Sequence, residues 1–311
     1  MIIKPDNYTY ETMPEYMDDV PGARRIKADL DLITVDYIPD VVYDTKDGVD
    51  LHLQILQPKI FNKEDVLFPC IIYVQGSAWK KQNCYRDIPN LSKLASRGYF
   101  VAIVEYRHSE IAHFPAQIID TKNAARYVLA HKEEYCIDAN RTIIMGNSSG
   151  GHTSSMVGMT FRSGLFDEPI NDEILDFKGI VNLYGSIELT LRYGFPITLD
   201  SQLPTSPEGM VMGWNILEHM EETEKANSKT YAAYDYPPML IMHGTKDRLV
   251  FCQQSVNLFQ ACQEAGKDVT FYLVEGSDHG GPAFYQEEVL DIYEAFFAKC
   301  FKKNNASKEA L

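Results

Sequence analysis

The sequence predicts an α/β fold, a mostly parallel central sheet with helices on both faces, and three observations carry that expectation. Short apolar runs recur at Cys70 to Val74, Phe100 to Glu105, Thr142 to Met145, Gly179 to Leu183, Met239 to Met242 and Val269 to Val274. Each is nearly continuous rather than alternating, as strands covered on both faces are. Segments with helical spacing separate them: Arg86 to Ser96, Pro115 to about Glu133, Ser149 to Phe161, Cys252 to Ala265 and Pro282 to Phe301. Lastly, Gly146-Asn147-Ser148-Ser149-Gly150-Gly151 follows one strand run directly and opens the next helical run. Strands alternating with helices imply crossover connections and an open parallel sheet.

The chain has 311 residues, 45% of them hydrophobic, enough for one large core or a core plus a small lid. Its formal charge of -15 argues against a nucleic-acid surface, which needs clustered Lys and Arg, and against stable association with anionic lipid. Cys70, Cys84, Cys136, Cys252, Cys262 and Cys300 show neither CxxC pairs nor metal spacing. They read as reduced thiols, with no metal or cofactor called for. No basic-then-apolar leader opens the chain, and no apolar stretch approaches the roughly 18 residues of a membrane span. A cytoplasmic protein acting on a small molecule is expected; oligomeric state is not legible.

Taken in order, residues 1–40 read as an acidic, Tyr-rich arm contributing to a cap over the site. A core over 41–184 and 236–303 follows. It opens with an antiparallel hairpin: Val41 to Tyr43 and Leu51 to Leu56 flank Asp47-Gly48, a strong turn signal because glycine accepts positive φ. Pro115 suits a first helical turn, and Gly98 and Gly266 suit left-handed caps. Residues 185–235 break the rhythm and read as a cap or lid insertion. They contain Phe195-Pro196, Leu203-Pro204 and Ser206-Pro207, then a helical-looking Met210 to His219. An insertion of this length in a compact domain is more often functional than slack.

The chemistry centres on Ser148. A serine at a strand-to-helix turn is held in strained backbone geometry with its Oγ exposed, and flanking glycines allow the close backbone approach the turn demands. Ser149, one residue off the apex, should offer its N–H to a developing oxyanion. A nucleophilic serine needs a base and an orienting carboxylate, in the chain order Ser, acid, His. His279 lies in Glu275-Gly276-Ser277-Asp278-His279-Gly280-Gly281, after the last strand run. Asp247 lies in His243-Gly244-Thr245-Lys246-Asp247-Arg248, after the preceding one. Both loops leave the carboxyl ends of strands, where open α/β sheets gather their sites. Asp278 is the rival acid, whose side chain should diverge from that of its immediate neighbour. Further oxyanion donors, the N–H groups of Ser77 and Ala78, are expected from Gln75-Gly76-Ser77-Ala78-Trp79. Trp79 and Trp214 are candidate pocket walls. His108, His113 and His243 lack partners at metal spacing and read as structural.

Together these residues resemble the esterase/lipase branch of the α/β-hydrolase superfamily, nearest to bacterial feruloyl-esterase-like carboxylesterases. Kynurenine formamidase and hormone-sensitive-lipase-type esterases are more distant. The family's His-Gly-Gly-Gly/Ala-Trp loop is matched by Gln75 to Trp79, and its Tyr-Arg by Tyr106-Arg107. Its Pro-Ala…Asp is matched by Pro115-Ala116 and Asp120, its Gly-Asp-Ser-Ala-Gly-Gly by Gly146 to Gly151, and its His-Gly-x-x-Asp by His243 to Asp247. Gln75, Ser77 and Ser149 depart from the family's histidine, glycine and alanine. The histidine normally braces the loop, so Gln75 bears on loop geometry. The resemblance implies an α/β-hydrolase fold and a serine carboxylesterase of short-acyl or carbohydrate/aryl esters working through an acyl-enzyme. An aryl formamidase, an aminopeptidase-like peptidase, and a catalytically inactive binding scaffold are the alternatives.

Overall fold

The computed structural model describes residues 6–61, 63, 65–191 and 203–308, with side chains to residue 302. One eight-stranded sheet runs in the order β1-β2-β4-β3-β5-β6-β7-β8. The strands are β1 (Ile33–Lys46), β2 (Val49–Ile60), β3 (Phe68–Val74), β4 (Phe100–Val104), β5 (Ile137–Asn147), β6 (Gly179–Leu183), β7 (Met239–Gly244) and β8 (Val269–Val274). β1 and β2 form the antiparallel hairpin turning at Asp47-Gly48, and β2 joins β4 antiparallel; the other strands pair in parallel. Helices α1 (Ile88–Ala95), α2 (Ala116–Ala130), α3 (Ser149–Thr160), α6 (Gln253–Glu264) and α7 (Glu287–Lys308) fill the connections. The connection before β7 holds two short helices, α4 (Pro207–Met212) and α5 (Met220–Thr223).

Successive side chains of a strand face opposite ways, so every inner strand feeds two cores. Ile72, Val74 and Ile144 pack with Ile118 and Val128 of α2, Met156 of α3 and Leu258 of α6. Ile71, Tyr73 and Ile143 pack with Leu91 and Leu94 of α1 and with Leu290, Tyr293 and Phe297 of α7. This is why the strand runs are apolar without alternation. It is an α/β-hydrolase fold, and the loops at the carboxyl ends of β3, β5, β7 and β8 meet at one rim.

Three expectations change. Residues 33–40 belong to β1, not to an arm. The described arm, residues 6–32, is almost wholly exposed and meets the sheet at the far end from Ser148. Its Tyr10 ring contacts Phe61, 5.0 Å between centroids, and Asp31 pairs with Lys63 at 2.5 Å. Ile33 is registered against Ile60 at the end of β2 that runs past the amino end of β4, because it is Leu53 that pairs with Val104. The arm therefore does not cap the site among the described residues. Finally, the helix expected over Met210 to His219 stops at Met212, where Gly213 turns left-handed with φ +82°. Phe195-Pro196 lies outside the described residues.

Candidate active site

β5 ends at Asn147 and α3 begins at Ser149, leaving Ser148 alone at the apex with φ +52° and ψ -127°. That conformation is costly for a residue with a Cβ, of order 1–3 kcal/mol, and persists only where the surroundings impose it. Here they do. A Cβ on Gly146 would lie 2.2 Å from the Gly150 carbonyl oxygen, and one on Gly150 would lie 2.0 Å from that of Val74. The backbone is therefore stacked too closely for any other residue at these two positions, and the serine side chain is thrust outward.

His279, on the loop after β8, brings Nε2 to 2.8 Å from Ser148 Oγ and Nδ1 to 2.7 Å from Asp247 Oδ2. The Asp247 side chain is shut off from solvent. Its other oxygen accepts the N–H groups of Leu249 and Val250, both at 2.8 Å, and Oδ2 also lies 3.1 Å from His243 Nε2. Burial alone would raise its pKa, but hydrogen bonds from His243 and His279 outweigh burial and hold the carboxyl well below the ordinary carboxylate range. Asp278 turns away: it accepts the Arg248 N–H and guanidinium and the His279 backbone N–H, and stays in solvent. Tyr184 packs edge-on against the His279 ring at 4.9 Å.

The loop after β3 lies over the serine. Ala78 and Trp79 take φ of +56° and +54° within a turn closed by the Lys80 N–H on the Ser77 carbonyl. The Ala78 and Ser149 N–H groups make no hydrogen bond among the described residues, and both residues line a cavity with Ser148 and His279. Ser77 corrects the expectation. Its N–H is donated to Ser149 Oγ at 2.9 Å, which removes it from the oxyanion set. The Ser149 hydroxyl, absent from the family's alanine, supplies the acceptor. It also meets Tyr106 Oη at 3.3 Å, and Ser77 Oγ meets the same hydroxyl at 3.2 Å. Bracing expected at position 75 comes from elsewhere: Gln82 donates to the carbonyls of Gln75 and Val104, and Asn147 Oδ1 accepts the Gly76 N–H at 2.6 Å.

Among the described residues, two cavities meet at Ser148 and His279. The smaller and more enclosed one, about 90 Å³, has walls of Trp79, Pro207, Leu249, Val250 and Phe251, with Ser186, Glu208 and Gln254 as its polar members beyond Ser148, Ser149 and His279. The wider one, about 430 Å³, opens past Arg86, Asp87, Asn90, Asn147 and Tyr285. Trp79 is fully buried and forms a wall. Trp214 does not line either cavity: its Nε1 donates to Thr223 Oγ1 at 3.0 Å and its ring leans on His219, so it braces the 203–235 stretch from within. Among the described residues, no group of three His, Cys, Asp or Glu side chains is placed to hold a metal ion, and no helix is long and apolar enough to cross a membrane.

A family model, BD-FAE, matches residues 53–262, which is more than half of the chain and includes Ser148 and Asp247. The chain belongs to the BD-FAE family. LipM of Mycobacterium tuberculosis, a probable carboxylic ester hydrolase, is 29% identical over 66% of this chain and 47% of its own length. Esterase LipC of the same organism is 25% identical over 68% and 53%. The chain thus spans about half the length of these curated relatives. Among solved structures, a truncated carbohydrate esterase from gut microbiota is 26% identical with a TM-score of 0.72, over 88% of this chain and 99% of that one.

Within this BD-FAE chain, two residues of the site were not singled out by the sequence. His243 was read as structural, yet it touches the Asp247 carboxylate, and its spacing of four from Asp247 in His-Gly-x-x-Asp was the available signal. Glu208 had no signal, because nothing local says that α4 lies beside Ser148.

Proposed function

We propose that this protein is a serine carboxylesterase that removes short acyl groups from larger, polar alcohols. The observation that carries the reading is the unbroken relay from Ser148 Oγ through His279 to buried Asp247, standing where a small cavity meets a large one. Ser148 Oγ adds to the ester carbonyl as His279 Nε2 takes its proton, and Asp247 holds the imidazole in the tautomer that does so. The tetrahedral oxyanion is held by the Ala78 and Ser149 N–H groups, each worth about 3–4 kcal/mol in the transition state. Collapse breaks the ester C–O bond, and His279 returns the proton to the departing alcohol. Water then attacks the acyl-serine by the same route and releases the acid.

Cavity size supports the acyl preference. A cavity of roughly 150 Å³ is what accommodates benzene; at about 90 Å³ the enclosed cavity suits acetyl or propionyl rather than an aryl acyl group. The alcohol then occupies the wider cleft, whose Arg86, Asp87 and Asn90 offer hydrogen bonds to a hydroxyl-rich group such as a sugar. The gut-microbial structure described as a carbohydrate esterase supports that side of the reading. The described residues of the 185–235 stretch act in it as a cap, since Ser186, Pro207 and Glu208 wall the small cavity. Cytoplasmic residence is part of the same proposal, supported by six cysteines with no disulfide between them.

Fluorophosphonate labelling and p-nitrophenyl acetate turnover test the reading together. Both should be present in the wild type and absent in Ser148→Ala. Turnover that survives Ser148→Ala would remove the proposal.

A further inference from the structure

Apart from Ser148, Ser149 and His279, the smaller cavity is lined by apolar residues and by one carboxyl, one hydroxyl and one amide. Glu208, at the second position of α4, accepts the Ser186 hydroxyl at 3.3 Å through Oε1, and its carboxyl also takes a hydrogen bond from its own backbone N–H. No described Lys, Arg or His is ion-paired with it. Gln254, at the start of α6, is buried. Its Oε1 accepts the N–H groups of Ile187 and Glu188 at 2.8 and 3.0 Å, which fixes the amide, and its Nε2 has no hydrogen bond among the described residues. All three side chains line the cavity that contains Ser148 Oγ.

A plain hydrocarbon acyl group has nothing to offer these polar side chains. Filling the cavity with acetyl or propionyl would exclude water from a carboxyl whose donors among the described residues are only the Ser186 hydroxyl and its own backbone N–H, and drying a carboxylate with its acceptor sites part-filled is unfavourable. Burial already pushes the Glu208 carboxyl above its ordinary pKa, against the hydrogen bonds from its own backbone and Ser186. A donor carried by the substrate removes that cost. The cavity has room for only a few heavy atoms, so the donor must sit within a bond or two of the carbonyl carbon.

Resting on the esterase reading above, we propose that Glu208 is a specificity-determining residue that selects short acyl groups bearing a hydrogen-bond donor, a hydroxyl or an ammonium, next to the scissile carbonyl. Ser186 holds its carboxyl in place, and the Gln254 amide complements the same substituent. The substrates are then esters of small hydroxy or amino acids, with the alcohol in the wider cleft.

The test compares three benzyl esters of matched three-carbon acids, propionate, lactate and alaninate, followed by release of benzyl alcohol. The full chain is used as wild type, Glu208→Gln and Glu208→Leu. Ratios of kcat/KM between esters are the readout, because a general loss of folded enzyme does not move them. The wild type should favour lactate or alaninate over propionate by at least about tenfold, the lower bound for a methylene-scale contact in a pocket. Glu208→Leu should reverse that order. Glu208→Gln keeps the shape and loses the charge. It should abolish a preference for alaninate but only weaken one for lactate, which distinguishes the two donors. Propionate turned over as well as the other two by the wild type, or ratios unchanged in both variants, would overturn the inference and leave the esterase reading standing. Failure to hydrolyse any ester, together with no fluorophosphonate labelling, would overturn both.

Discussion

At Asp247 two large effects oppose each other, and hydrogen bonding wins. A buried carboxyl with no partners would hold its proton, whereas this one receives two backbone N–H groups and two histidines. Asp247→Asn keeps the shape but invites the wrong His279 tautomer, and kcat for p-nitrophenyl acetate should fall by about 10⁴. Asp278→Asn should cost far less, since that side chain serves Arg248 in solvent. The opposite ranking would mean that the carboxylate is misassigned. At Ser149 the relevant atoms separate cleanly: its N–H makes no hydrogen bond among the described residues, while its hydroxyl accepts the Ser77 N–H. Ser149→Ala keeps the first and releases the second, so kcat/KM should remain within about tenfold of wild type, the net worth of one neutral hydrogen bond. A loss matching that of Ser148→Ala would contradict this.

At the scale of elements, the site is made of loop geometry imposed by rigid strands. The β5–α3 turn works because β3 and α3 approach to backbone contact at Gly150, where a Cβ would meet the Val74 carbonyl oxygen at 2.0 Å. Neither atom can move without shifting a central strand. Gly150→Ala should therefore destabilise the fold by about 3 kcal/mol or more, measured by denaturant unfolding. A wild-type unfolding midpoint would show that the strand can yield. The amino-terminal arm makes the contrasting case. Its described contacts are Tyr10 on Phe61 and Asp31 on Lys63, at the end of the sheet away from Ser148. Removing residues 1–30 should lower Tm modestly and leave the ratio of kcat/KM between acetate and butyrate esters unchanged. An altered ratio would place the arm over the entrance.

For the molecule as a whole, two cavities of unequal size that both reach Ser148 imply, on the esterase reading, unequal treatment of the two halves of an ester. Each methylene the small cavity cannot seat forfeits about 1–3 kcal/mol, so kcat/KM should fall from p-nitrophenyl propionate to octanoate. A steady rise would refute the narrow acyl cavity. Acid stability follows from the same site. Asp247 has a folded pKa below its unfolded value of about 3.9, so its contribution is complete above about pH 4 and is lost as pH falls further toward the folded value. Unfolding free energy should thus drop more steeply below pH 4 in wild type than in Asp247→Asn. Equal slopes would show that the carboxyl is not held ionised by its partners.

Sequence by itself determined what depends on neighbours along the chain. The continuous apolar runs at Ile71 and Ile143 mark buried strands because both their faces are covered, and Gly146 to Gly151 marks the strand-to-helix turn because its serines and glycines are consecutive in the chain. The order Ser148, Asp247, His279 was legible for the same reason: each residue follows a recognisable strand. Tertiary structure alone decided whatever depends on two distant segments meeting. The Ser77 N–H looked available until Ser149, 72 positions later, supplied an acceptor for it. Trp214 looked like a pocket wall until the fold left it outside both cavities that reach Ser148. Glu208 carried no local mark at all, because a carboxylate on a short helix is ordinary in water and becomes informative only when folding sets it in the wall of a cavity with Ser148, where drying its carboxyl carries a cost.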